Sequence, residues 1–363
     1  MHFLINGRFL SQRVTGVQRY AREVVQGLDE LLQEGRLDPQ VVSIEVLVPS
    51  GIENLPDYKH ISIRTVGTKQ GHLWEQWELP RAAKGQLLLN LGNTAPLLKK
   101  NQCVTIHDVS IYAVPEAYSK PFIAWYKLQF QQLSKRLSKI ITVSEFSKGE
   151  MIRYLKTEPD KLQVTYEGKE HIERIECDDS ILENPLLKGK SYVLAVSSLS
   201  PHKNFGAVVK ALEHLKDCPD LSVVIIGGGN QQVFAEINLA DNEQVIRPGY
   251  VSDGQLKSLY QNAMGFIHAS YYEGFGLTPL EAMTCGCPVL VSKAAAMPEV
   301  CEDAALYFDP HQPEDIAQQV RTLINDETLR QQLRAKSLKQ ADKFSWQKCA
   351  WETYQVMESI AAE

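Results

Sequence analysis

"GFIHASYYEGFGLTPLEAMTCGCPVLVS", residues 265–292, reads as a strand, a glycine-rich bend, a helix and a second strand. The flanking apolar runs "GFIHAS" and "CPVLVS" have strand length. Between them, Thr278 and Pro279 announce a helix, with the proline at the first helical position, where its missing N–H costs nothing. The Thr278-x-x-Glu281 spacing predicts a capping box, in which the glutamate reaches back to the cap residue's own N–H. Glu273 has no such structural duty. It follows two tyrosines and precedes Gly274 and Gly276, whose missing side chains let a ligand approach the backbone. A carboxylate accepts hydrogen bonds from hydroxyls while neighbouring N–H groups donate to oxygens, a pairing that suits a polyhydroxylated ligand such as a sugar.

The same alternation of short β-branched runs and amphipathic stretches continues in both directions, so the class is α/β with parallel sheets covered by helices. Predicted strands of the first half are "HFLI", "SIEVLV", "ISIRTV", "QLLLNL", "CVTIHD" and "KIITVS". Those of the second are "YVLAVS", "LSVVIIG", "NEQVIRPG", "GFIHAS", "CPVLVS" and "ALYFD". A length of 363 residues favours two domains. The polar, proline- and glycine-punctuated stretch "CDDSILENPLLKGK" (177–190) is the linker expected between them. The expected domains are 1–188 and 189–345, followed by a terminal segment, 346–363.

A net charge of −6 carries no nucleic-acid footprint. Seven irregularly spaced cysteines fit neither a zinc ribbon nor a secreted disulfide framework and read as reduced thiols, hence a cytoplasmic protein. The N-terminus lacks a secretory apolar run and no stretch has the length of a membrane span, so peripheral contact with the inner face of the cell membrane is the most that is expected.

Open parallel sheets bind ligands beyond the carboxyl ends of their strands. Four further places there attract notice. "VSSLSPHKNF" (196–205) carries Lys203 in a turn where ammonium and helix dipole both favour phosphate, although a solvated lysine is the plainer reading. "VVIIGGGN" (223–230) is a tight turn lacking the dinucleotide fingerprint. In "RPGYVSDGQLKSLYQNA" (247–263), Gly249 closes a strand and Ser252 caps a helix, leaving the backbone of Tyr250 and Val251 to read a base edge or simply to turn. "VTIHDVS" (104–110) sets His107 and Asp108 at a strand's end, where a histidine is as readily a packed bystander as a participant. Near the start, "SQRVTGVQRYARE" (11–23) holds Gly16 in a basic loop with Arg13, Arg19 and Arg22, suited to cover a phosphate or to form a solvated face.

Together, "TGVQRYARE", "LWEQWELPR", "IHD", "ITVSEFSK", "SLSPHKN", "GYVSDGQLKSLYQNA", the Glu, seven residues, Glu pattern of "EGFGLTPLEA", and "GCPVLVS" resemble a family 4 glycosyltransferase nearly end to end. The resemblance is to the bacterial polysaccharide and O-antigen enzymes. It implies the GT-B architecture, two Rossmann-like domains facing each other across a cleft, with the terminal "FSWQKCAWETYQVMESI" crossing back to the first. Carried over, it implies that Glu273 contacts the transferred sugar while the backbone at Gly274, Phe275, Gly276 and Leu277 holds sugar and phosphate. Glu281 would grip the nucleotide's ribose, Lys203 the diphosphate, and Gly249, Tyr250 and Val251 the base. His107 would lie beside the donor sugar, Gly16 over the phosphates, and Asp108 toward the acceptor. Many relatives carry an arginine where this chain has Ser198; Arg13, Arg19 or His202 are the candidates to compensate.

The implied reaction moves a hexose or deoxyhexose, with retention, from a GDP-, dTDP- or UDP-linked donor to a hydroxyl of a glycan or lipid-linked glycan. The donor is a co-substrate and no cofactor is implied. Without an Asp-x-Asp pair to hold a divalent ion on the donor phosphates, no metal is expected. A nucleotide-sugar epimerase and a non-catalytic nucleotide-sugar-binding protein are the alternatives. On the acceptor side, "KPFIAWYKLQFQQLSKRLSK" (120–139) has five basic and no acidic residues, with Phe122, Tyr126, Phe130, Leu133 and Leu137 at helical spacing. It reads either as a membrane-surface helix or as one packed on its own sheet.

Overall fold

The computed structural model describes residues 1–196, 200–227 and 244–363. They form two compact units, Met1–Gly168 with Ser345–Glu363, and Lys169–Phe344. The first sheet contains β1 (His2–Asn6), β2 (Ser43–Val48), β3 (Ser62–Thr65), β4 (Leu87–Asn90), β5 (Gln102–Thr105), β6 (Ile140–Thr142) and β7 (Leu162–Val164). Its spatial order is β3-β2-β1-β4-β5-β6-β7, and every pairing is parallel. The second contains β8 (Ser191–Val196), β9 (Leu221–Ile226), β10 (Val245–Ile246), β11 (Gly265–His268), β12 (Val289–Ser292) and β13 (Ala305–Phe308), in the order β10-β9-β8-β11-β12-β13, again all parallel. Central strands such as "LLLN", "LSVVII" and "VLVS" are buried at every residue, as a sheet covered on both faces requires.

Each order reverses once, between β1 and β4 in the first sheet and between β8 and β11 in the second. At such a reversal the connections leave toward opposite faces, which opens a crevice at the strands' carboxyl ends. In the second unit, β8 runs into the turn that carries Lys203, and β11 into the bend that carries Glu273.

The chain crosses into the second unit earlier than the polar stretch at 177–190 predicts. Residues 169–188 belong to that unit because their backbone is tied to it. Lys257 Nζ donates to the carbonyls of Glu173 (3.0 Å) and Ile175 (2.7 Å), and Asp178 N donates to Gly254 O (3.1 Å). Polarity marks a surface segment, which this is, without telling on which body the segment lies.

The terminal helix, Trp346–Ala362, packs against Gly16–Gln33 within the first unit. Tyr20, Val24, Leu28 and Leu31 bury one face of the earlier helix, and Trp346, Ala350 and Met357 one face of the later. In the helix Lys120–Arg136, Phe130 and Leu133 are buried, as is Leu137 just beyond it, in a core with Val104, Ile106 and Ile140. Most of the apolar stripe read from the sequence therefore belongs to the interior. Phe122 stays at the surface, stacked between Tyr118 and Tyr126. All seven cysteines are free thiols, and no helix among the described residues is long and apolar enough to cross a membrane.

Candidate active site

Two loops at the reversal of the second sheet are clamped together by backbone. Tyr271 N donates to His202 O at 2.8 Å, and Asn204, in the left-handed region at φ 58°, sends its side-chain amide to Ala269 O (3.1 Å) and Pro310 O (2.8 Å). This clamp brings Lys203 to Glu273, which the sequence places 70 residues apart, and their side chains form an ion pair. His268, the last residue of β11, lies with Nε2 at 3.2 Å from the same carboxylate oxygen. Burial alone raises the Glu273 pKa, but the Lys203 ammonium and the His268 hydrogen bond outweigh it and hold the carboxyl well below the usual range. The carboxylate is therefore ionised at neutral pH.

Glu281 does not form the predicted capping box. The helix Leu277–Thr284 starts earlier, with Gly276 as its cap in the left-handed conformation (φ 105°), so Thr278 is already inside it. Glu281 instead points to a buried pair of donors. His171 Nε2 lies 2.9 Å from Oε1, and the Tyr260 hydroxyl donates to Oε2 at 3.3 Å. Burial and the nearby carboxylate push the Tyr260 pKa well up, which keeps its phenol protonated as a donor. Each carboxylate oxygen has two acceptor positions, so both glutamates retain capacity for a ligand hydroxyl.

Between them runs the Gly274–Leu277 bend. Phe275 is buried edge-on against Phe344, with ring centroids 5.5 Å apart, which fixes the backbone while its side chain serves packing. At Gly276 the left-handed conformation demands glycine, and an added Cβ would in addition push aside the Met297 side chain, whose Cε it would meet at 2.3 Å. Leu277 opens the helix and contributes one of its N-terminal N–H groups, the kind that attract anions.

Gly249 is also left-handed (φ 90°), and Tyr250 after it is 88% exposed. Ser252 caps Asp253–Asn262 through a capping box with Gln255, as the sequence predicts, and that helix supplies Tyr260. Ser198, Gly228 and Gly229 lie outside the described residues.

In the first unit, Gly16 begins an 18-residue helix behind Thr15, exposed and with nothing near the position of a Cβ. His107 is buried and firmly held. Its Nε2 lies 3.1 Å from Leu91 O, its Nδ1 3.7 Å from Glu167, and its ring edge-on to Tyr20 at 4.6 Å. Asp108 accepts from Ser110 N at 2.8 Å. The reversal between β1 and β4 holds a cluster that the sequence reading did not single out. Asn6 donates to Glu75 (2.9 Å) and Asn90 (3.0 Å), and Arg8 pairs with Glu75 (3.1 Å) and donates to Thr94 (2.8 Å).

His268 was findable by the logic applied to His107, since it ends a strand. His171 was not, because nothing local to "EGKEHIER" hints at a partner 110 residues away.

The family described as "Glycosyl transferases group 1" matches residues 178–340. An O-antigen chain mannosyltransferase B of Escherichia coli is 32% identical over 259 residues, covering 69% of this chain and 68% of that protein. Among solved structures, a sucrose-phosphate synthase from Thermosynechococcus elongatus aligns over 99% of both chains with a TM-score of 0.75 and 17% identity. The Anabaena protein HepE, solved with UDP-glucose, aligns over 99% of this chain and 100% of that one, with a TM-score of 0.73 and 18% identity.

Proposed function

This chain belongs to the glycosyl transferases group 1 family, and from that premise we propose that it transfers mannose from a nucleotide sugar to a hydroxyl of a growing, lipid-linked polysaccharide, retaining the anomeric configuration. It is a glycosyltransferase. The choice of mannose and of a polysaccharide acceptor is supported by the relative from Escherichia coli, whose name carries both.

The observation that carries the site assignment is the Lys203–Glu273 pair at the reversal of the second sheet, one bend away from Glu281. In this reading Glu273 accepts from hydroxyls of the transferred sugar, and Glu281, held by His171 and Tyr260, accepts from the ribose. The backbone from Gly274 to Leu277 faces the diphosphate. An ammonium has three protons, so Lys203 can keep Glu273 while donating to a phosphate oxygen. As the bond between the anomeric carbon and the diphosphate oxygen breaks, charge grows on that oxygen, and Lys203 with the helix N-terminus stabilises it where it forms. The acceptor oxygen then bonds to the same face of the anomeric carbon, and its proton passes to the departing phosphate. Gly249, Tyr250 and Val251 take the base. This reading assigns no role to a metal, since the chain offers no Asp-x-Asp pair to hold one on the donor phosphates.

The test is a thermal-shift screen of GDP-mannose, dTDP-rhamnose and UDP-glucose alongside the free nucleotides. A ligand bound only by the native state at 100 times its Kd adds about 2.7 kcal/mol. The expected result is stabilisation by GDP-mannose beyond that of GDP. Glu281→Ala loses the response to both, while Glu273→Ala loses mainly the increment due to the sugar. Equal losses in both variants would refute the division of labour. Mass spectrometry of donor incubated alone separates the epimerase alternative, which isomerises it, from a transferase, which leaves it intact or hydrolyses it slowly.

A further inference from the structure

Parallel strands covered on both faces are near-continuous apolar runs, and β11, Gly265–His268, keeps to that rule until its last residue. His268 is 3% exposed, and a buried imidazole without a hydrogen-bond partner is costly. Alternation along the strand places Ile267 in the core with Val193 and Leu290, and sets Phe266 and His268 together on the opposite face. There the two rings stack with centroids 6.2 Å apart, and Phe266 lies edge-on to Tyr260 at 5.5 Å. Tyr260 in turn donates to Glu281. Three buried rings thus connect the two glutamates, and the imidazole at the end of the row is packed in place.

The donors are shared out differently at the two carboxylates. Glu281 receives one on each oxygen, His171 at Oε1 and Tyr260 at Oε2. Glu273 receives both on Oε2, from the Lys203 ammonium and from His268 Nε2 at 3.2 Å, and no hydrogen bond reaches its Oε1 among the described residues. A carboxylate only accepts, so Nε2 carries the proton. The whole of Oε1 is thereby left to a ligand. The two donors on Oε2 differ in what else they can do. Lys203 sits on a turn, Pro201–Lys203, at the end of a flexible stem, its side chain is 18% exposed, and an arriving diphosphate competes for its charge. His268 stands on a central strand with its side chain 2% exposed. Burial works against the Glu273 charge, and Lys203 and then His268 restore it.

We propose that His268 is a positioning residue for the transfer: it retains Glu273 when the Lys203 ammonium turns toward the donor's diphosphate, so that Oε1 stays presented to hydroxyls of the transferred sugar. This role rests on the reading of Lys203 and Glu273 given above. With Lys203 as the sole donor, the ammonium's attraction would be divided between carboxylate and phosphates in the state that must be most ordered, and Glu273 would be free to rotate. A fixed second donor on the same oxygen removes that conflict. It leaves Lys203 to the departing diphosphate while the carboxylate keeps its orientation.

Titration calorimetry of the full chain with GDP and with GDP-mannose tests the role. His268→Phe, which keeps a buried ring, is expected to bind GDP as the parent does and to lose about tenfold of the gain that GDP-mannose shows over GDP, the size of one hydrogen bond to a charged group. His268→Gln, whose amide nitrogen reaches about where Nε2 lies, is expected to recover most of that gain. An imidazole that only fills space would give the reverse, with phenylalanine tolerated and glutamine harmful. A second measurement uses the unaltered chain. The Nε2–H proton signal of His268, traced by isotope labelling of histidine, is expected to move downfield when GDP is added, as its bond to Glu273 tightens. Equal losses for GDP and GDP-mannose in His268→Phe, no loss at all, no recovery in His268→Gln, or a proton signal unmoved by GDP would each overturn the role. A parent that binds GDP-mannose no better than GDP refutes the donor reading above and this role with it, so the parent's own titration tells the two failures apart.

Discussion

Glu273 is a carboxylate that gains its charge from its neighbours. Lys203 and His268 depress its pKa below that of an unfolded glutamate, so between those two values the unfolded chain binds more protons than the folded one. The stabilisation is complete above the unfolded value of about 4.3 and is lost as pH falls through the folded one. Glu273→Gln is therefore expected to cost about 1–2 kcal/mol in urea unfolding at pH 7, with the difference from the parent shrinking once the pH is taken below about 4. A difference that grows on acidification would contradict the pairing. At Glu281 the corresponding neighbours are His171 and Tyr260. His171→Ala is expected to weaken nucleotide binding about tenfold, and His171→Gln, which keeps an N–H donor, to recover part of it. Equal losses in titration calorimetry would show that the imidazole only fills space. Both glutamates were legible in the sequence because they sit in a short stretch with glycine and aromatic neighbours. Their partners were not, because a side-chain hydrogen bond across 110 residues leaves no local mark.

At the scale of elements, most strands were readable because buried parallel strands are nearly continuous apolar runs. The strand missed, β7, is three residues long at the sheet's edge, and of these only Leu162 is buried. The start of the helix Leu277–Thr284 was misread for a specific reason. Thr278 and Glu281 satisfy the capping pattern, yet Gly276 is left-handed, starts the helix two residues sooner, and frees Glu281 for the buried histidine. Gly276→Ala is expected to destabilise the second unit by about 1–3 kcal/mol, since it adds left-handed strain to an encounter with Met297. If chemical denaturation shows Gly276→Ala to be neutral, the bend does not hold the geometry ascribed to it.

The molecule as a whole leaves its first unit after Gly168 and returns at Ser345. These two passages touch so closely that a Cβ on Gly168 would lie 1.9 Å from Trp346 N. The returning helix then buries Trp346, Cys349, Ala350 and Met357 in the first unit. Truncation after Phe344 is expected to expose the first unit, and the Gly16–Gln33 helix above all, to limited proteolysis while leaving the second unit resistant. Gly168→Val is expected to reproduce this more mildly. Loss of the second unit instead would show that the terminal helix belongs elsewhere. By itself the sequence determined the α/β class, nearly all the strands, and the two acidic residues around a glycine bend, because periodicity, turn chemistry and residue type act over a few positions. Only the tertiary structure decided which unit residues 169–188 join, that Lys203 meets Glu273, and that His171 and Tyr260 hold Glu281. Those outcomes depend on strand order and loop clamping, which bring distant segments together through contacts that no single segment encodes.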